Sequence, residues 1–202
     1  IKGGYDMTYK LRDYQQKASD TAVAFFNDKK AKYNAIMVLP TGSGKSLVIA
    51  DIANRLQGHT LVFQPSKEIL EQNYKKLCSY GVLDCSVYSA SFNSKNISRI
   101  TFATIGSVIR HTDDFQHFNN VIIDECHFVN AKGGMYEEFI HATGCKVLGL
   151  KFKQLWRNAK VPYSYPSNDI FKGYLSSANI DFTRYGLSFK DRLLPNEPIR
   201  VG

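Results

Sequence analysis

Ala35-Ile36-Met37-Val38-Leu39-Pro40-Thr41-Gly42-Ser43-Gly44-Lys45-Ser46 is the stretch that decides the fold. The apolar run Ala35–Leu39 reads as a buried strand. The spacing after it, Lys45–Leu56, reads as a helix. Between them lies a glycine-rich loop, Thr41-Gly42-Ser43-Gly44. Glycines there let backbone N–H groups converge on phosphate oxygens with no Cβ in the way. The helix that follows adds the partial positive charge of its N-terminus. Lys45 is placed to reach β- and γ-phosphates, and the Ser46 hydroxyl to ligate Mg²⁺. The general pattern of such loops has Gly at its first position; here that position is Leu39.

A second motif lies downstream. Val121-Ile122-Ile123 reads as an apolar strand and runs into Asp124-Glu125-Cys126-His127. Two adjacent acids at the rim of a buried strand are costly unless they bind something. Asp124 suits Mg²⁺, directly or through water. Glu125 suits a group that orients and deprotonates an attacking water. His127 is the expected link between these acids and the rest of the protein.

Working outward, short apolar runs alternate with helical stretches. Strands are expected at Ala35–Leu39, Thr60–Phe63, Cys85–Tyr88, Ile100–Thr104, Asn120–Asp124 and Lys146–Leu150. Helices are expected at 11–27, Lys45–Leu56, Ser66–Tyr80 (with Ser66 as its cap), Ile105–His111 and Tyr136–Ala142. That alternation implies βαβ units, a mostly parallel sheet, and right-handed crossovers that put helices on both faces. Ligands of such sheets sit beyond the carboxyl ends of the strands. Both motifs follow apolar strands and so fall on that edge.

The chain has 202 residues and a net charge of +8. Residues 1–150 carry 17 Lys/Arg against 14 Asp/Glu, and residues 151–202 carry 9 against 4, so the basic excess is denser in the tail. A polyanionic partner fits this balance. No apolar run approaches a membrane span, and the N-terminus lacks a signal-peptide apolar region. Cys78, Cys85, Cys126 and Cys145 form no C-x-x-C pair, which suggests reduced thiols and a cytoplasmic location.

Pro40-Thr41-Gly42-Ser43-Gly44-Lys45-Ser46 followed by Asp124-Glu125-Cys126-His127 resembles motifs I and II of superfamily 2 helicases and translocases. The resemblance implies a RecA-like P-loop NTPase domain that uses ATP and Mg²⁺ and acts on nucleic acid. The Leu39 variant of the loop agrees with it. Leu11-Arg12-Asp13-Tyr14-Gln15 resembles the Q-motif of the branch that includes restriction-type (ResIII) helicase subunits and RadD-like repair helicases. That implies Gln15 as the adenine contact and Arg12 as a weaker one. Phe63-Gln64-Pro65-Ser66 onward to Gln72 resembles motif Ia, and Thr101-Phe102-Ala103-Thr104 onward to Val108 resembles motif Ib. The family places nucleic-acid backbone contacts there, so Pro65, Ser66, Gln72, Thr104 and Ser107 are candidates. Ser66 and Ser107 are equally readable as helix caps. The form of motif II and of the Q-motif favours DNA over RNA.

The resemblance covers about residues 9–150, taken as domain 1–150. In the family, a strand like Lys146–Leu150 leads into a Thr-Ala-Thr-Pro motif III. Here Lys151-Phe152-Lys153 follows, which suggests either a diverged motif or residues missing after Leu150. The segment 151–202 is basic and aromatic, with Trp156, Tyr163, Tyr165, Phe171 and Tyr174 suited either to stacking on bases or to packing on the domain or in an interface. It is too short for a second RecA-like domain. A motor of this class needs that domain and its arginine, so the chain is expected to bind Mg²⁺–ATP and hydrolyse it weakly alone. A restriction-enzyme motor subunit, an RNA helicase, or a nucleotide-gated binding module without unwinding are the alternatives.

Overall fold

The computed structural model describes residues 9–40, 42–130, 133–153 and 171–175. Its elements in order are α1 (Asp13–Asn27), β1 (Asn34–Pro40), α2 (Lys45–Arg55), β2 (His59–Phe63), α3 (Lys67–Ser79), β3 (Cys85–Ser89), β4 (Ser94–Lys95), β5 (Ile100–Ala103), α4 (Ile105–Val108), β6 (Phe118–Ile123), α5 (Met135–Thr143), β7 (Lys146–Lys153) and β8 (Phe171–Leu175). Short 3₁₀ turns at Ala90–Phe92, Ile109–Phe115 and Cys126–Phe128 join them.

The strands form one eight-stranded sheet in the order β4-β3-β5-β2-β6-β7-β1-β8. Every neighbouring pair is parallel except β3 with β4. Alternation along the strands sorts the core onto two faces. Val62 and Ile122 join the cluster of α1, α2 and α3, with Tyr14, Ala18, Ile52, Leu70 and Leu77. Their neighbours Leu61, Phe63, Val121 and Ile123 join the cluster of α4 and α5, with Val108, Phe115 and Phe139. Phe63 meets Phe139 edge-on at 5.2 Å between centroids, a favoured aromatic geometry. The expected α/β architecture, a mostly parallel sheet covered on both faces, is therefore present.

Two strands went unread in the sequence. β4 is two residues long and closes an edge. β8 lies in the segment 151–202, where no regular element was expected, and pairs with β1 from Asn34↔Phe171 to Met37↔Leu175. The Leu150–Lys151 junction, where missing residues were suggested, lies inside β7. The strand runs through it in register with β1, ending at Pro40↔Lys153. The aromatic residues Trp156, Tyr163 and Tyr165 lie outside the described residues.

Cysteines that stand apart in sequence also come together: Cys78 Sγ and Cys85 Sγ are 3.6 Å apart. Burial pushes the Cys85 thiol up to about 12. Among the described residues, no helix is long and apolar enough to cross a membrane.

Candidate active site

The loop between β1 and α2 holds its shape with two left-handed glycines, Gly42 at φ +79° and Gly44 at φ +77°. Gly44 is also the residue that caps α2. A Cβ on Gly44 would run into the Gln15 side-chain amide, so the position needs glycine on two counts. Gln15 itself is buried. Its Nε2 donates to the Ser43 carbonyl at 2.8 Å, and its Oε1 accepts the Arg12 N–H at 2.9 Å. Tyr14 Oη donates to the same Ser43 carbonyl at 3.1 Å. The start of α1 thus braces the loop from below. Nε2 keeps a second hydrogen and Oε1 a second lone pair, so the amide retains capacity for an adenine edge. The Arg12 side chain is exposed. Thr41 lies outside the described residues.

Lys45, first residue of α2, is almost wholly buried and reaches across the sheet edge. Its Nζ contacts both Asp124 Oδ1 and Glu125 Oε1. Asp124 is fixed by its backbone, whose N–H donates to the Phe63 carbonyl at 2.9 Å. Burial pushes its carboxyl above the usual aspartate range, while the Lys45 charge works against that rise. Glu125 sits at φ +51°, ψ +49°, a left-handed conformation unusual for a residue with a side chain. That turn bends the chain sharply after β6 and aims the Glu125 carboxylate back at Lys45. Its other oxygen, Oε2, is 3.2 Å from His127 Nδ1.

Asn73 completes the cluster, and the sequence reading missed it. Its Oδ1 accepts from Ser46 Oγ at 2.9 Å, and its Nδ2 donates to Gln64 Oε1 at 2.9 Å and to Asp124 Oδ2 at 3.3 Å. One amide therefore ties the loop hydroxyl to the motif-II carboxylate. The available signal was periodicity: the buried positions of α3 are Leu70, Asn73 and Leu77, so an amide occupies an otherwise apolar stripe. Two buried polar atoms have no hydrogen-bond partner here, Ser43 Oγ in the loop and Gln64 Nε2 beside Asn73. Unsatisfied buried groups are rare and mark places where a polar ligand fits.

The candidates for nucleic-acid contact divide. Pro65 and Ser66 follow β2, and Thr104 follows β5, the neighbouring strand, so these residues share the carboxyl edge. Ser66 Oγ accepts the Ile69 N–H at 3.4 Å, the capping role foreseen for it. Thr104 Oγ1 and Ser107 Oγ are 3.0 Å apart, and Ser107 Oγ also accepts the Ala90 N–H at 3.2 Å. Gln72 is exposed on α3, about 9 Å along the helix from Ser66 by the rise per residue.

A family model described as type III restriction enzyme, res subunit (ResIII), matches residues 8–152. The chain belongs to the ResIII family. The chain is 28% identical over 125 residues to a DNA 3'-5' translocase XPB2 of Sulfurisphaera tokodaii, covering 61% of this chain and 26% of that protein. The chain thus spans about a quarter of the length of this curated relative. Among solved structures, the UvsW helicase from bacteriophage T4 superposes with a TM-score of 0.57 at 21% identity, over 74% of this chain and 55% of that one. The Sulfolobus solfataricus SWI2/SNF2 ATPase core in complex with dsDNA superposes with a TM-score of 0.60 at 16% identity, over 83% and 37%. At such identities the two structures speak for the RecA-like fold of ResIII domains.

Proposed function

We propose that this chain is the first motor domain of an ATP-dependent DNA helicase or translocase. The observation that carries the reading is the meeting of Lys45, Asp124 and Glu125 at the carboxyl edge of a ResIII sheet, braced by Asn73. The phosphates of ATP lie in the loop Thr41–Ser46, where the Ser43 hydroxyl and backbone N–H groups receive them. Arg12 and Gln15 flank the adenine.

The donor set fits a hard cation. Ser46 Oγ and Asp124 Oδ2 both bond to the Asn73 amide, so a hydroxyl and a carboxylate stand side by side, the oxygen ligands that Mg²⁺ prefers. When bound, Mg²⁺ spreads the charge of the β- and γ-phosphates. Lys45, now the counter-ion of two acids, turns to the phosphates once they arrive. Glu125 is then free to orient water and take its proton, with His127 holding its second oxygen in place. His127 also links the acids to the outer surface of the domain.

Nucleic acid passes over Pro65, Ser66, Thr104 and Ser107, with Gln72 further along α3, through backbone contacts that carry no base information. DNA is favoured over RNA by motif form and by the activity named for the Sulfurisphaera relative. A second RecA-like domain supplies the arginine. Such fingers contribute about 10³–10⁵ in rate in related phosphoryl transfers, so the domain alone turns over slowly. The full-length protein, assayed for ATPase and strand displacement with single-stranded DNA, duplex DNA and RNA, tests the reading. Stimulation by DNA supports it. Nucleotide-dependent DNA binding without hydrolysis would favour the binding module instead.

A further inference from the structure

The 3₁₀ turn that follows the two acids ends in Phe128, a residue that no motif required. It is 65% exposed, and Met135 at the start of α5 is 47% exposed. Single exposed apolar residues are ordinary. These two line one groove of about 310 Å³ together with Pro65, Ile105 and Tyr136. The location is informative. Pro65 adjoins Ser66, and Ile105 adjoins Thr104, so the groove opens directly beside the residues proposed to carry the sugar–phosphate backbone. A strand held by those residues would pass the mouth of the groove, within reach of a base turned towards it. Phe128 is preset for a flat partner. One ring face lies on the His127 imidazole, with centroids 4.1 Å apart and planes tilted by 37°. His127 in turn reaches Glu125 Oε2 at 3.2 Å.

We infer that Phe128 is a nucleobase-stacking residue, and that a base resting on it fixes the His127 ring and through it the Glu125 carboxylate. The occupant of the groove is a base of single-stranded nucleic acid. His127 acts as a positioning residue, coupling the presence of a strand to the group that handles water. This inference rests on the nucleic-acid reading above. It adds a base contact to a surface otherwise assigned only backbone contacts, and stacking of this kind is tolerant of sequence.

The test uses the full-length protein and two oligodeoxynucleotides, one with 2-aminopurine among natural bases and one with abasic sites at the same positions. Wild-type protein is expected to quench 2-aminopurine and to bind the base-bearing strand about 5- to 150-fold more tightly than the abasic one, the span expected for one stacked base. In Phe128→Ala the quenching and the preference both disappear, and the DNA concentration for half-maximal ATPase activation rises. Phe128→Trp restores all three. Since Phe128 is mostly exposed, its replacement leaves the core intact. If Phe128→Ala discriminates between the two strands as wild type does, the inference is overturned. If wild type binds both strands equally, the groove serves another occupant, such as the second motor domain, while backbone binding stands. If neither strand binds, the nucleic-acid reading itself fails.

Discussion

Replacing the loop lysine is the usual way to silence such a site, and here it should also destabilise the fold. Lys45 is 3% exposed, Asp124 3% and Glu125 13%, and the lysine touches both acids. Lys45→Ala leaves two carboxylates facing each other with no cation in a site of low dielectric. Breaking a buried pair by removing one partner costs about 3–5 kcal/mol. Glu125 can draw in some water, which places the expectation near the lower end. For a domain of this size that is a fall in melting temperature of about 10 °C. The measurement is urea or thermal unfolding without nucleotide at neutral pH, for wild type, Lys45→Ala, Asp124→Asn and the double variant. The double variant should recover much of the loss, because one uncompensated charge has gone. The sign with pH follows from Asp124. Burial raises its folded carboxyl above the unfolded value, and without Lys45 the main opposition to that rise is gone, leaving the Glu125 backbone N–H that donates to Asp124 Oδ1 at 2.9 Å. Its destabilising contribution is then present above the folded value and fades as pH falls through it. The deficit of Lys45→Ala should therefore shrink in acid. A Lys45→Ala protein as stable as wild type at neutral pH would refute the reasoning.

Other outcomes follow from the same site. Glu125→Gln should keep nucleotide binding and lose about 10²–10⁴ in hydrolysis, the span of general-base catalysis, read by ATPase rate against nucleotide affinity. Asn73→Ala removes three hydrogen bonds, two buried and one half-buried, one of them to a carboxylate. At about 1 kcal/mol for each neutral bond and about 1.5–3 kcal/mol for the charged one, it should lose about 3–5 kcal/mol in unfolding experiments and weaken Mg²⁺-dependent nucleotide binding. Gly44→Ala forces a side chain to φ +77° and into Gln15, and should cost at least about 1 kcal/mol with weaker ATP binding in titration calorimetry. Because the Asp124 carboxyl is held above the ordinary range, Mg²⁺-dependent nucleotide binding should fall at milder acidity than an exposed aspartate would give, which a pH series of Mg²⁺ titrations checks.

Much of this was legible in the sequence for physical reasons. The strands of the sheet core are apolar on both faces, so β1, β2, β5 and β6 read as unbroken runs, and the two motifs lay at their ends. β4 could not be read, because Ser94–Lys95 is short and polar and is a strand only through its pairing with β3. β8 could not either. Phe171–Leu175 contains a lysine and a glycine, and its place beside β1 comes from long-range pairing rather than local pattern. At the site, Lys45, Ser46, Asp124 and Glu125 were named by chemistry. Asn73 was missed because its role lies in three partners far apart in the chain. The Gln15 brace on Ser43 was missed because the sequence reading aimed that amide at the nucleotide.

The position of β1 in the sheet also governs when the site can exist. β1 carries the phosphate loop, yet its two neighbours are β7 and β8, the last strands of the described chain. Neither β2 nor β3, its successors in sequence, pairs with it. On the ribosome, residues 34–40 wait for more than a hundred further residues before a partner strand appears. Contacts of such separation form slowly, and an unpaired apolar strand invites wrong pairing meanwhile. The loop proposed to receive ATP is thus among the last parts of the domain to acquire its shape. A nascent chain shorter than β7 holds the glycine-rich loop sequence without the strand that sets it in the sheet.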